Sequence, residues 1–325
     1  MIEANSRRPR GGGSGRGVSR VLVATLGFAS LLGAVAARAD DGGLVPGTLF
    51  WNGLERSYLL HVPSGAGSNA RLPLVVALHG AGQDAASFAE ETRFAEAADA
   101  NGMLVVFPDG SGNEPGKLSW NAHFCCGIGA AEEVDDIGFI SALIDRISAR
   151  FPVDGKRVYA TGMSNGGMLS YQLAAARPDR FAAIAPVSAA IGGTLRNGDR
   201  FVIATPDRPV SVMIIHGRRD PYVLFDGGSS LLLSWPKRSN MSVADALAFW
   251  SAADGCTAEP ARSEPETGKL RLIDYGDCRD GSTLVLWEIK DGEHNWPAGV
   301  QFPARAAMRS AADEILAFFA EHRRE

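Results

Sequence analysis

The chain has 325 residues, a formal net charge of −5, six histidines and four cysteines. No basic patch marks it for nucleic acid, no His/Cys spacing suggests a metal site, and the length suits one α/β domain with insertions.

The first 39 residues read as a secretory signal. Arg7, Arg8, Arg10, Arg16 and Arg20 precede an apolar stretch from Val21 to Ala36, and Ala37-Arg38-Ala39 supplies a small-x-small cleavage site. The apolar run is short for a stable membrane anchor. Arg7-Arg8 is followed by Pro9-Arg10-Gly11, a poor fit to a twin-arginine signal. Six arginines and one glutamate lie in this segment. Cleavage after Ala39 therefore leaves residues 40–325, 286 in number, with a net charge of −10. The expectation is a secreted or periplasmic acidic protein.

After a loose lead-in, Gly47–Asn52 and Arg56–Val62 read as a hairpin broken at Asn52-Gly53. Leu74 to Leu78 is a buried strand ending in His79-Gly80-Ala81-Gly82, a glycine loop able to aim backbone N–H groups at one point. Ser87 to Glu90 has the pattern of a capping box opening a helix that stops at Asn101-Gly102. Met103 to Phe107 is the next buried strand. Pro108 to Val134 is irregular. Loops of this length inside compact domains are usually functional, and this one leaves the carboxyl end of a strand, where open α/β sheets bind ligands. Trp120 within it is either a platform for a flat or apolar substrate or a residue that packs the loop down. Asp135 to Arg150 reads as an amphipathic helix, with Asp135 and Asp136 as caps.

Arg157 to Thr161 is a β-branched and aromatic run that leads into Gly162-Met163-Ser164-Asn165-Gly166, and the helix-forming Met168 to Ala174 follows at once. Strand, Gly-x-Ser-x-Gly and helix make a nucleophile elbow, which lifts the serine hydroxyl off the sheet. Phe181 to Val187 and Ser211 to His216 are further buried strands, the second opening into Gly217-Arg218-Arg219-Asp220-Pro221. Phe225 to Met241 is another irregular insertion, and Leu231 to Trp235 within it would form a small lid bordering an acyl pocket. Ser242 to Ala252 is a helix, Thr283 to Lys290 a strand, Asp291 to Pro297 a loop and Ala304 to His322 the closing helix.

With such an elbow the partners follow in the order Ser, Asp or Glu, His. Three histidines follow Ser164. His322 sits in a charged terminal helix end and His216 precedes the best acid, which leaves His294. Asp220, just past a buried strand, is the candidate acid, ahead of Asp207 and Asp226, which lie further from a strand end. Ser164 would attack an acyl carbon, His294 would take and return the proton, and Asp220 would orient the imidazole. The developing oxyanion needs fixed donors, expected from the backbone N–H of Asn165 and that of Ala81, with Gly80 as its neighbour. The four cysteines allow three pairings. Cys256 with Cys278 is favoured, while Cys125 and Cys126 are adjacent, where a bridge is rare and strained, and the sequence leaves open whether they are bonded or reduced.

Taken together, Leu78-His79-Gly80, Phe107-Pro108-Asp109-Gly110, Trp120-Asn121 with Cys125-Cys126-Gly127, Val134 to Phe139, Tyr159 to Met168, Ile215-His216-Gly217 with Asp220-Pro221, and Glu293-His294-Asn295-Trp296-Pro297 resemble the secreted poly(3-hydroxybutyrate) depolymerase-like and feruloyl esterase-like family of α/β-hydrolases. The resemblance spans most of residues 40–325. It implies an α/β-hydrolase fold, with a central mostly parallel sheet, helices on both faces and no large cap. It implies Ser164, Asp220 and His294 as the triad, and cleavage of carboxylic esters without metal or organic cofactor. The motif residues His79, Trp120, Asn121 and Trp296 are the candidate substrate contacts. The expected partner is a small-molecule or oligomeric ester, either hydroxyalkanoate oligomers or plant cell-wall esters. With no appended segment for gripping solid polymer, soluble oligomers and aryl or acetyl esters are favoured over insoluble polyester. Two rival readings use the same scaffold. A serine peptidase shares the triad but often carries a propeller or cap; a non-catalytic binding protein would not need Ser164, Asp220 and His294 intact.

Overall fold

The computed structural model describes residues 43–64, 71–195, 197–232, 238–265, 268–304 and 308–325. The expected signal segment 1–39 and Trp235 of the expected lid lie outside the described residues. In chain order the strands are β1 (Leu44–Trp51), β2 (Leu54–His61), β3 (Leu72–Leu78), β4 (Leu104–Pro108), β5 (Val153–Met163), β6 (Ala183–Val187), β7 (Gly192–Thr194), β8 (Arg200–Val202), β9 (Ser211–Gly217), β10 (Ser239–Asn240), β11 (Ala261–Ser263), β12 (Leu270–Tyr275) and β13 (Leu284–Ile289). The helices are α1 (Ala85–Thr92), α2 (Phe94–Asn101), α3 (Gly127–Ala131), α4 (Asp136–Ser148), α5 (Asn165–Ala176), α6 (Val243–Asp254) and α7 (Ala311–Glu321).

Ten strands form one sheet in the order β1-β2-β4-β3-β5-β6-β9-β13-β12-β11. From β4 to β13 the pairs are parallel, and antiparallel strands flank them on both sides. This is the α/β-hydrolase arrangement, with its mostly parallel centre. Every residue of β3 is buried, as a strand covered on both faces requires. Alternation then divides it: Leu74, Val76 and Leu78 join one core with Phe139 and Leu143 of α4, Leu169 of α5 and Trp250 of α6. Val75 and Ala77 join the opposite core with Phe88 of α1, Phe94 of α2 and Phe319 of α7. The two cores clamp the sheet and hold the carboxyl ends of β3, β5, β9 and β13 at one edge.

Several boundaries differ from expectation for local reasons. The first capping box is centred on Asp84, whose carboxylate accepts the Ser87 N–H at 2.8 Å, so α1 starts before Ser87. Arg93, at φ 53°, then breaks the segment into α1 and α2. The closing helix starts at Ala311, where Ser310 caps it by accepting the Asp313 N–H. Strands β7, β8 and β10 form a separate small sheet, and β11–β12 extend the main one. Most of these are too short to show a period. Cys256 and Cys278 are joined at 2.03 Å, tying the end of α6 to the turn after β12. Closing a loop of this size contributes about 3 kcal/mol in the chain-entropy picture. Cys125 and Cys126, whose pairing the sequence left open, are also bonded, across a cis peptide. The loop doubles back there and brings the two neighbouring sulfurs to the wall of a cavity described below.

Candidate active site

Ser164 stands alone between β5 and α5, at φ 52° and ψ −116°. A side chain at positive φ is strained and must be held by its surroundings. Here Ser164 N–H donates to Val187 O at 2.8 Å, and Ser164 O accepts the Met168 N–H at 2.8 Å. The turn is tight enough to exclude any side chain on its flanks. A Cβ on Gly162 would sit 2.6 Å from the Gly166 carbonyl carbon and 2.7 Å from Leu78 O, and one on Gly166 would strike Leu78 O and His79 O.

Two loops from β9 and β13 meet the serine. His294 Nε2 lies 3.0 Å from Ser164 Oγ, and His294 Nδ1 lies 2.7 Å from Asp220 Oδ2. Asp220 is buried. Its other oxygen accepts the N–H groups of Tyr222 and Val223, each at 2.8 Å, so Pro221 and the tight turn after it fix the carboxylate. Burial works against the charge of Asp220, but hydrogen bonds with His216 and His294 outweigh it and hold the carboxyl well below the usual carboxylate range. His216, fully buried at the end of β9, places Nε2 3.5 Å from Asp220 Oδ2 and 2.8 Å from Val223 O. Chain order set His216 aside as a base. Its position one turn before the acid was the signal that it braces Asp220 instead.

The glycine loop after β3 is held from outside. Gly80 N–H donates to Gln83 Oε1 at 2.9 Å, while Gln83 Nε2 donates to Glu91 Oε2 at 2.6 Å. Gly82 N–H donates to Leu118 O. Between them, the Ala81 N–H has no hydrogen-bond partner among the described residues, and neither has the N–H of Asn165 at the first turn of α5. Ala81, Ser164 and His294 line one cavity of about 480 Å³ with Cys125, Cys126, Met168, Tyr222, Val223, Ser230, Arg238 and Asn240. This size fits a small organic group.

The irregular stretch between β4 and α4 is pinned against the elbow. Asn165 Oδ1 accepts the Trp120 N–H at 2.7 Å, and its Nδ2 donates to Trp120 O at 3.1 Å. Asp135 caps α4 through Gly138 N–H. Asp136 does something else: it is buried, pairs with Arg56 at 2.8 Å and accepts the Asn121 N–H at 2.7 Å. The Arg56 guanidinium stacks on Phe139 at 4.1 Å. Nothing in the helix-start pattern separates a second cap from such a buried pair.

With the site laid out, its relatives can be placed. Residues 56–255 match the family model described as Esterase PHB depolymerase. The chain belongs to the PHB depolymerase esterase family. Over 284 residues this family member is 30% identical to Putative esterase NocK of Nocardia uniformis subsp. tsuyamanensis, covering 81% of this chain and 77% of that one. It is 28% identical over 239 residues to Feruloyl esterase B of Piromyces equi, covering 74% of this chain but 42% of that protein's length. Among solved structures, the acetyl xylan esterase from Aspergillus awamori superposes with a TM-score of 0.56 at 16% identity, over 85% of this chain and 99% of that one, a likeness of fold.

Four expected substrate contacts of this PHB depolymerase family member are placed elsewhere. Trp120 is fully buried and donates through Nε1 to His79 O at 2.9 Å, so it packs the loop down. His79 is buried too, accepting the Gly110 N–H on Nε2 at 2.9 Å, with Nδ1 2.8 Å from Gly80 O. Burial lowers its pKa and keeps it neutral. Trp296 packs on Phe88 and Phe94 in the core. Asn121 serves its own loop, donating to Val134 O and accepting the His123 N–H. None of the four lines the cavity beside Ser164. Motif residues that stabilise a site and residues that touch its substrate look alike in sequence. The cavity is instead walled by Cys125-Cys126, Met168, Tyr222, Arg238 and Asn240.

Proposed function

We propose that this protein is a serine carboxylic ester hydrolase that works through an acyl-enzyme, exported by a leader of residues 1–39. The reading rests above all on the hydrogen-bonded line from Asp220 through His294 to Ser164, opening into a cavity. Ser164 Oγ attacks the ester carbon as His294 Nε2 accepts its proton. Asp220 keeps the His294 Nδ1–H in place and stabilises the imidazolium. The Ala81 and Asn165 N–H groups receive the oxyanion. His294 then returns the proton to the leaving alcohol, and a water repeats the sequence to release the acid. The substrates this reading favours are small and oligomeric esters, such as hydroxyalkanoate oligomers and aryl or acetyl esters of plant polysaccharide, in keeping with a family described by PHB depolymerase and a relative that is a feruloyl esterase.

Purified residues 40–325 should hydrolyse short p-nitrophenyl esters, and Ser164→Ala should lose that activity. Faster turnover of peptide amides than of esters would overturn the esterase reading in favour of a peptidase. Export predicts that the protein recovered outside the cytoplasm begins at Asp40; an N-terminus still at Met1 would contradict it.

A further inference from the structure

Resting on the esterase reading, we propose that the Cys125-Cys126 bridge is a specificity-determining partition that sets how long a substrate chain the catalytic cavity accepts. A second cavity, also of about 480 Å³, adjoins the one beside Ser164 and is lined in part by Phe124, Ala130, Ala131 and Leu195. The two cavities share three lining residues, Cys125, Cys126 and Arg238. Cys125 and Cys126 are bonded to each other. The bridge therefore stands between the space that takes the reacting ester and the space behind it.

The bridge is held from several sides. Cys125 O accepts the Ala122 N–H at 2.9 Å and a hydrogen of Asn165 Nδ2 at 3.4 Å. Asn165 directly follows the nucleophile, so this contact ties the bridge to the position of Ser164. Arg238 Nη2 donates to Cys126 Sγ at 3.8 Å. Beside the bridge, Phe124 stacks on Phe201 with ring centroids 5.7 Å apart. The bond removes a freedom that two thiols would keep, because neither sulfur can change its χ1 rotamer alone. The two sulfurs thus present a fixed, polarizable, apolar surface to a substrate chain. A chain that reaches this surface turns back toward water. Each further methylene then forgoes burial, which is worth about fourfold in binding per methylene. Removing both sulfurs joins the two cavities and lets the chain continue.

The test measures kcat/KM by pH-stat titration on two ester series, one with the acyl chain lengthened from acetate to dodecanoate, the other with the alcohol of an acetate lengthened from ethyl to dodecyl. The series whose chain enters the cavity should show a length beyond which the parent's kcat/KM falls. In Cys125→Ala/Cys126→Ala, the ester two methylenes past that limit should gain at least tenfold. Adding Ala131→Phe, which fills the second cavity, should take the gain away. Cys256→Ala/Cys278→Ala, which removes the other bridge, should keep the parent's limit. Thermal melts check that each variant is folded. If Cys125→Ala/Cys126→Ala does not fold, the limit is read in Cys256→Ala/Cys278→Ala with and without dithiothreitol. That reagent passes two electrons and two protons to the remaining bridge, giving two thiols, and becomes its own cyclic disulfide; longer esters should then gain. No limit in either series of the parent overturns the partition. So does a limit unchanged in the folded double variant or after complete reduction, and so does a gain that Ala131→Phe leaves intact. Failure of the parent to cleave any ester would overturn the esterase reading instead, so the two outcomes are distinct.

Discussion

Replacing Asp220 by asparagine should cost about 10⁴ in kcat/KM while leaving the protein folded. One carboxylate oxygen accepts two backbone N–H groups, from Tyr222 and Val223 at 2.8 Å each. An amide nitrogen cannot accept, so the carbonyl oxygen of the introduced asparagine keeps that place and its NH2 group takes the position facing His294 Nδ1, 2.7 Å away. A donor now faces the imidazole where an acceptor stood. His294 must carry its proton on Nε2, the atom 3.0 Å from Ser164 Oγ, and can no longer receive the serine proton. Misplacing the tautomer in such a triad is worth about four orders of magnitude, or roughly 5.5 kcal/mol at 1.36 kcal/mol per decade. The assay is kcat/KM for p-nitrophenyl butyrate near neutral pH, with circular dichroism to show an intact fold. The variant should also lose part of the parent's acid sensitivity. The Asp220 pKa is depressed by folding, so the stability it contributes is present above the usual carboxylate range and is lost as pH falls through its folded value. An Asp220→Asn protein within tenfold of the parent would refute this account of the acid.

Two further predictions concern stability. Asp254 is fully buried, with Oδ1 accepting Val210 N–H at 3.0 Å and Oδ2 without a hydrogen-bond partner among the described residues; burial pushes its pKa up to about 7. The folded state thus binds more protons than the unfolded one between about pH 4 and 7, and stability falls as pH rises through that window. Asp254→Asn should be more stable than the parent at pH 8, by at most about 4 kcal/mol, with the gain vanishing near pH 4 in urea titrations; a gain independent of pH would contradict this. Gly162→Ala places a Cβ 2.6 Å from the backbone carbon of Gly166, and should cost about 3 kcal/mol in the same titrations; an unchanged midpoint would show that the elbow has slack.

Legibility varied with the kind of signal. The buried strands β3, β4, β6 and β9 read as apolar runs, and the elbow reads because only glycine fits beside Leu78 and Gly166. Ser164, Asp220 and His294 could be nominated from chain order alone, because each follows a recognisable strand. The wall of the cavity could not. Arg238 and Asn240 sit in an insertion whose path depends on the small sheet β7-β8-β10, whose strands are two or three residues long. Trp120 and Trp296 misled because a tryptophan in a loop motif has the same letter whether it stacks on a substrate or fills a core. The pairing of Cys125 and Cys126 stayed open in the sequence because sequence distance argues for or against a bridge only on average, while the loop path decides it.

The central claim is that Ser164 is acylated. A fluorophosphonate added to residues 40–325 should attach once per molecule, at Ser164 by peptide mapping, with loss of ester hydrolysis in step with labelling. Ser164→Ala should take up no label. Labelling at another residue, or hydrolysis that survives complete modification of Ser164, would contradict the account.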